Sequence, residues 1–175
     1  MYRHEWLVGF AALTVLLLLF NSWQVVRRRD RTIITEAIAI MGLTLTAPTS
    51  YYVCRGELDS DALMLWALCT LYFASSVFYV KLRVHSLNRR RIDLKRQSWR
   101  DCAVYHVFLL LVLIVLNFNG NTNLYILAAF LPVLVRTARQ LRRPSSQISL
   151  RRIGVLEIAY SFVFLILVTI GYRGS

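Results

Sequence analysis

Acidic residues are scarce in this chain: 9 Asp and Glu stand against 21 Lys and Arg, a formal net charge of +12. The scarcity leaves Asp59-x-Asp61 as the fragment nearest to a metal-binding spacing. Its place in a short loop reads instead as a solvated helix-start signal, so neither a metal nor a cofactor is expected. Cysteine is equally sparse, with 3 residues. An odd count without a C-x-x-C excludes a disulfide framework and a zinc pattern. With 7 Gly and 3 Pro there is no Gly-rich phosphate loop, and G-x-S-x-G and H-E-x-x-H are absent as well. No nucleophile with base and orienter stands out, so the sequence leaves enzyme status open. Internal repeats and low-complexity tracts are missing too. The first residues are too short and too weakly basic for a signal-peptide start, and no A-x-A-like cleavage site follows.

What the chain has is apolar length. Hydrophobic residues make up 57%, charged residues only 17%, and the mean hydropathy is +0.53. A soluble domain of this size would expose far too much apolar surface. Six stretches are long enough, or nearly so, to cross the hydrocarbon layer as helices: 6–26, 32–53, 62–80, 102–118, 124–135 and 153–172. The expected fold is all-α, a polytopic membrane helix bundle forming one domain over 1–175. The fifth stretch is the weakest, because only 124–135 precedes Arg136, and it spans if Arg136 snorkels toward the interface. Pro132 is a candidate kink within it.

All of the Lys and Arg residues except Arg3, Arg55 and Arg173 fall in 27–31, 81–101 and 136–152. These stretches net +3, +6 and +6, whereas the intervening 54–61 nets −2 and 119–123 is neutral. Recurrent positive charge marks cytoplasmic loops. Six spans with both termini outside put every basic loop in the cytoplasm, where the arginines meet anionic lipid headgroups. The basicity therefore reflects topology and membrane lipid partners. Nucleic acid is not an expected partner, since no helix-turn-helix, zinc or RNA-binding pattern accompanies the charge.

Two acids interrupt the apolar segments, Glu36 and Glu157, each about one turn from the cytoplasmic start of its span. His106 lies at a similar depth in the fourth span. Tyr79, Lys81 and Arg83 close the third, with His85 beyond, and Arg136 ends the fifth. Ionisable groups at one depth on several helices usually face the bundle interior or a wet cavity. Glu36, Tyr79, Lys81, Arg83, His106, Arg136 and Glu157 are therefore the candidate ligand-binding residues.

Tyr72, Ser76, Tyr79 and Arg83 form one helical stripe, and Gly154, Glu157 and Ser161 another. His106 and Asn117 share a face. Thr35, Ala39, Gly42, Thr46 and Thr49 form a small-residue stripe. Such stripes in membranes are mainly packing surfaces, and an ion pair of Glu36 or Glu157 with Arg136 or Lys81 would equally hold helices together.

Several of these residues carry a family resemblance. Thr35-Glu36 together with Ala47-Pro48-Thr49-Ser50-Tyr51 resembles the YwiC-like family of bacterial membrane proteins. So does Leu71-Tyr72-Phe73-Ala74-Ser75-Ser76-Val77-Phe78-Tyr79-Val80-Lys81-Leu82-Arg83, the most specific block. Tyr105-His106 and Arg152-Ile153-Gly154-Val155-Leu156-Glu157 extend the resemblance over roughly 30–160. It implies the cytoplasmic (inner) membrane of a bacterium and no assigned activity. Family members begin with a Pro-(Lys/Glu)-His-Gly-like segment that this chain does not show, so a missing N-terminal segment, or an oligomer partner, is expected to complete the protein. A more distant likeness is to UbiA-type prenyltransferases, whose two Asp-rich motifs are absent. Lys81 and Arg83 stand at the corresponding helix end, where cations can hold an anionic head directly.

Three functions are consistent with these residues. The first is a domain binding an anionic or lipid-like molecule at the cytoplasmic face. The second is a structural or assembly subunit whose polar groups fix helix register. The third is a proton-coupled transporter relaying through Glu36, His106 and Glu157, against which stands the lack of broken helices at the midplane.

Overall fold

The computed structural model describes residues 8–9, 12, 15–16, 19, 33–87, 92–120, 122–142 and 150–173. Among them every regular element is an α-helix: α1 (Ile33–Thr44), α2 (Thr46–Arg55), α3 (Ser60–Leu87), α4 (Ile92–Phe118), α5 (Leu124–Arg142) and α6 (Leu150–Arg173). Five stretches are long and apolar enough to cross a membrane: Glu36–Arg55, Ser60–Ser86, Ile92–Phe118, Leu124–Arg142 and Arg151–Arg173. The protein is thus a multi-pass, all-helical membrane protein. The expected span 6–26 lies outside the described residues, apart from Val8, Gly9, Ala12, Val15, Leu16 and Leu19, which are helical. The basic run 27–31, and 88–91 and 143–149 of the other two basic stretches, also lie outside them.

The chain forms two compact units, Met1–Ala74 and Ser75–Ser175. In the first, the stretch expected as one span is two helices. Pro48 has no N–H to offer the Thr44 carbonyl four residues earlier, and its ring crowds that carbonyl, so the helix breaks at Leu45. Thr44 Oγ1 turns back to the Ile40 carbonyl at 2.9 Å. Because that bond uses its one proton, it accepts from Thr70 Oγ1 of α3 at 2.8 Å. Trp66 Nε1 of α3 donates to the Met41 carbonyl at 3.2 Å.

Gly56 ends α2 in the left-handed region (φ 80°), donating to the Tyr52 carbonyl, a conformation that costs glycine least. Asp59 then caps α3. Its Oδ1 accepts the Ala62 N–H at 3.0 Å and its Oδ2 the Tyr51 hydroxyl at 3.0 Å. The Ala62 N–H, first among these bonds, holds the Asp59 carboxyl below its ordinary range.

In the second unit the helices run past the apolar stretches. α3 continues to Leu87 and α4 begins at Ile92, so most of 81–101, read from sequence as a loop, is helical. Its Lys, Arg, Leu and Gln are good helix formers, and helix length is not limited to the span. α5 likewise continues beyond 135 to Arg142, which moves Arg136 from a helix end to a helix interior.

Pairings fix the directions. Ser75 meets His106 and His85 meets Ser98, so α3 and α4 are antiparallel. Between α5 and α6, Asn123 meets Gly171, Phe130 meets Phe164 and Arg136 meets Glu157, a second antiparallel pair. Asn123 both caps α5, accepting the Ile126 N–H at 3.0 Å, and donates to the Gly171 carbonyl at 2.7 Å. Gly171 permits that approach, since an added Cβ would stand 3.0 Å from Asn123 Oδ1 and 3.1 Å from Ile126 Cγ1.

Candidate functional site

A polar cluster occupies the second unit at the end away from the Asn123–Gly171 bond. At 1.5 Å of rise per residue, Glu157 and Gly171 are about 20 Å apart along α6. The cluster is built from turns of four helices.

α5 supplies Arg136, only 9% exposed. Its Nη1 donates to Glu157 Oε1 of α6 in a close ion pair. The guanidinium lies over the Tyr79 ring of α3, 3.9 Å from the centroid, and over the Tyr160 ring of α6 at 5.2 Å. Two aromatic faces and a carboxylate replace the water that a snorkelling arginine would seek. Arg136 is therefore enclosed, where the sequence had it reaching for the interface. Its Nε and Nη2, with Glu157 Oε2, are buried and have no hydrogen-bond partner among the described residues.

One turn further along both α3 and α5, Arg83 Nη1 donates to Gln140 Oε1 at 2.8 Å. Arg83 is 1% exposed. It follows Tyr79 by four residues, as Gln140 follows Arg136, so the two pairs stack.

His106 of α4 joins three helices. Its Nδ1 lies 2.8 Å from the Cys102 carbonyl, which accepts only, so Nδ1 carries the proton and Nε2 is an acceptor. That assignment follows from the hydrogen-bond network. Two hydroxyls reach Nε2, Ser75 of α3 at 3.0 Å and Thr137 of α5 at 3.0 Å. A serine beside an oriented histidine is also the outline of a nucleophile and its base. Here Ser75 is 0% and Thr137 1% exposed, so the hydroxyls meet packed side chains and the arrangement pins helices. Beside it, Phe78 stacks on Tyr105 at 4.6 Å.

Of the residues singled out from sequence, the structure brings together Tyr79, Arg83, His106, Arg136 and Glu157 in this unit. Lys81 is half-buried and lies two residues from both Tyr79 and Arg83, on the opposite face of α3. Glu36 is half-buried in the first unit. Asn117, placed by sequence on the His106 face, is exposed, as is Gly154. Sequence reasoning missed Ser75, Thr137, Gln140 and Tyr160. Helical spacing was the available signal for two of them, since Gln140 follows Arg136 by four residues and Tyr160 follows Glu157 by three.

No family model matches the chain, and no solved structure matches it. A similar protein is an uncharacterized protein of Haemophilus influenzae, 27% identical over 151 residues. The match covers 86% of this chain but 57% of the relative, so the chain spans little more than half of the relative's length.

Proposed function

We propose that the protein binds an anionic, lipid-like molecule at this cluster, on the cytoplasmic side of a bacterial inner membrane. The observation that carries the reading is Arg136: an enclosed cation whose Nε and Nη2 have no hydrogen-bond partner among the described residues. Such donors are costly in a membrane interior, and an anionic headgroup would satisfy them. Side and orientation follow from charge. With 6–26 as a further span, six crossings and both termini outside leave 27–31, 81–101 and 136–152 cytoplasmic. The cluster lies on the helix turns next to the last two of these stretches.

A second reading is a structural subunit in which the same groups hold helix register. It is favoured by His106, whose ring nitrogens are fully engaged by Cys102, Ser75 and Thr137.

Native mass spectrometry of the purified protein, followed by lipid extraction, separates the two. Under the first reading wild type carries a defined anionic or isoprenoid molecule, Arg83→Gln loses it and Lys81→Ala keeps it. If all three forms carry only bulk phospholipid, the structural reading stands.

A further inference from the structure

The hydrogen-bonding groups around the Arg136–Glu157 pair narrow the class of headgroup; the inference rests on the ligand-binding reading above. Arg136 is 9% exposed, and Glu157 engages its Nη1. Its Nε and Nη2 are buried and have no hydrogen-bond partner among the described residues. Together they form one edge of the guanidinium, the edge that matches two oxygens of a phosphate. The guanidinium lies over the rings of Tyr79 and Tyr160, which limits how that edge can turn.

Two further polar atoms of the cluster are buried without a partner among the described residues, Glu157 Oε2 and Ser76 Oγ. Ser76 precedes Tyr79 by three residues on α3, one turn along the same face. Its hydroxyl stands beside the Glu157 carboxylate without closing a hydrogen bond. The Arg136 edge only donates, the carboxylate oxygen only accepts, and the serine hydroxyl does either. A phosphate alone would satisfy the arginine and leave Glu157 Oε2 without a donor. A headgroup hydroxyl meets both remaining atoms, donating to Glu157 Oε2 and accepting from Ser76 Oγ. An ammonium also donates, but it has no lone pair for Ser76 and would crowd the Arg136 charge.

We infer that the site takes a phosphodiester whose alcohol carries a free hydroxyl, with the phosphate on the Nε–Nη2 edge of Arg136 and the hydroxyl between Glu157 and Ser76.

The test titrates detergent-solubilised protein with a set of lipids and reads the bound fractions by native mass spectrometry. Phosphatidylglycerol has the phosphodiester and the hydroxyl. Phosphatidylethanol has the same phosphodiester and charge without a hydroxyl. Phosphatidylethanolamine puts an ammonium in its place, and phosphatidylcholine a quaternary nitrogen with no donor. Glycerophosphoglycerol is the free headgroup without acyl chains. Wild type should favour phosphatidylglycerol about tenfold over phosphatidylethanol, the ratio set by roughly one hydrogen bond to a charged group. Ser76→Ala removes one partner of the hydroxyl and should narrow that ratio to about threefold. Arg136→Lys keeps the charge without the fork and should weaken both phosphodiesters about tenfold. Glycerophosphoglycerol binding as tightly as phosphatidylglycerol supports the same headgroup and assigns its source to a soluble phosphodiester.

Equal binding of phosphatidylglycerol and phosphatidylethanol, both above phosphatidylcholine, overturns the hydroxyl and leaves the anionic site in place. Tighter binding of phosphatidylethanolamine than of phosphatidylglycerol overturns it in favour of an ammonium. Equal binding of all the lipids overturns the ligand-binding reading as well. The wild-type comparison is decisive even where a variant does not fold.

Discussion

Arg136 and Glu157 face each other across the α5–α6 pair, each inside its helix, with the guanidinium over the rings of Tyr79 and Tyr160. The ion pair removes two charges from the membrane interior at once, so losing one partner strands the other. Glu157→Ala is expected to cost about 3 kcal/mol, measured by unfolding in detergent. Replacing both, as Arg136→Met with Glu157→Leu, should cost less than either single change. A double-mutant cycle in which the two effects simply add would show the pair to be uncoupled.

His106 makes a separable prediction. Its Nε2 accepts hydroxyls from Ser75 and Thr137, so His106→Ala leaves two buried hydroxyls without an acceptor and is expected to cost roughly 2 kcal/mol. Ser75→Ala or Thr137→Val removes one of two donors to the same nitrogen and should cost less. Thermal melts of the three variants check the order. Equal losses would mean that the hydroxyls, and not the imidazole, hold the helices.

The Gly171 prediction is steric. An added methyl meets Asn123 Oδ1 at 3.0 Å and Ile126 Cγ1 at 3.1 Å, so Gly171→Ala pushes the start of α5 off α6 and weakens the Asn123 cap. A loss on the order of 1–3 kcal/mol is expected, read by the same melts. Gly154→Ala on the same helix meets nothing within 4 Å and serves as the control, with no loss expected.

Outside the membrane, Asp59 gives a pH dependence. Its folded carboxyl is held below the ordinary value of 3.8, first by the Ala62 N–H. A carboxylate lowered on folding contributes stability that is fully present above its unfolded value and lost as pH falls through the folded one. Wild type should therefore lose stability on acidification below about pH 4 relative to Asp59→Asn, which keeps an acceptor for Ala62 without a titrating charge. Parallel acid profiles for the two proteins would exclude the cap as the cause.

How much of this was legible in the sequence depends on the residue. The apolar stretches from 32 onward located the five candidate spans seen among the described residues, because solvent, not neighbours, dictates their length. Asp59 could be read as a helix start because a cap is local. Arg136 could not be placed. Its chain position suggested the interface, and only Tyr79, Tyr160 and Glu157, brought in by two other helices, explain why it is enclosed. The partners of His106 were hidden for the same reason: Ser75 lies 31 residues before it and Thr137 31 after, beyond any local spacing rule. Pro48 was visible, but the break it makes at Leu45 depends on the turn before it being helical.

The claim that the cluster is a binding site and not only a clamp is tested most directly by ligand-dependent stability. A ligand that binds the folded state raises its melting temperature with concentration. Purified protein titrated with phosphatidylglycerol should melt progressively higher, phosphatidylcholine should have no such effect, and Arg136→Lys should flatten the phosphatidylglycerol curve. An equal rise with both lipids, or an undiminished rise in Arg136→Lys, would contradict the account.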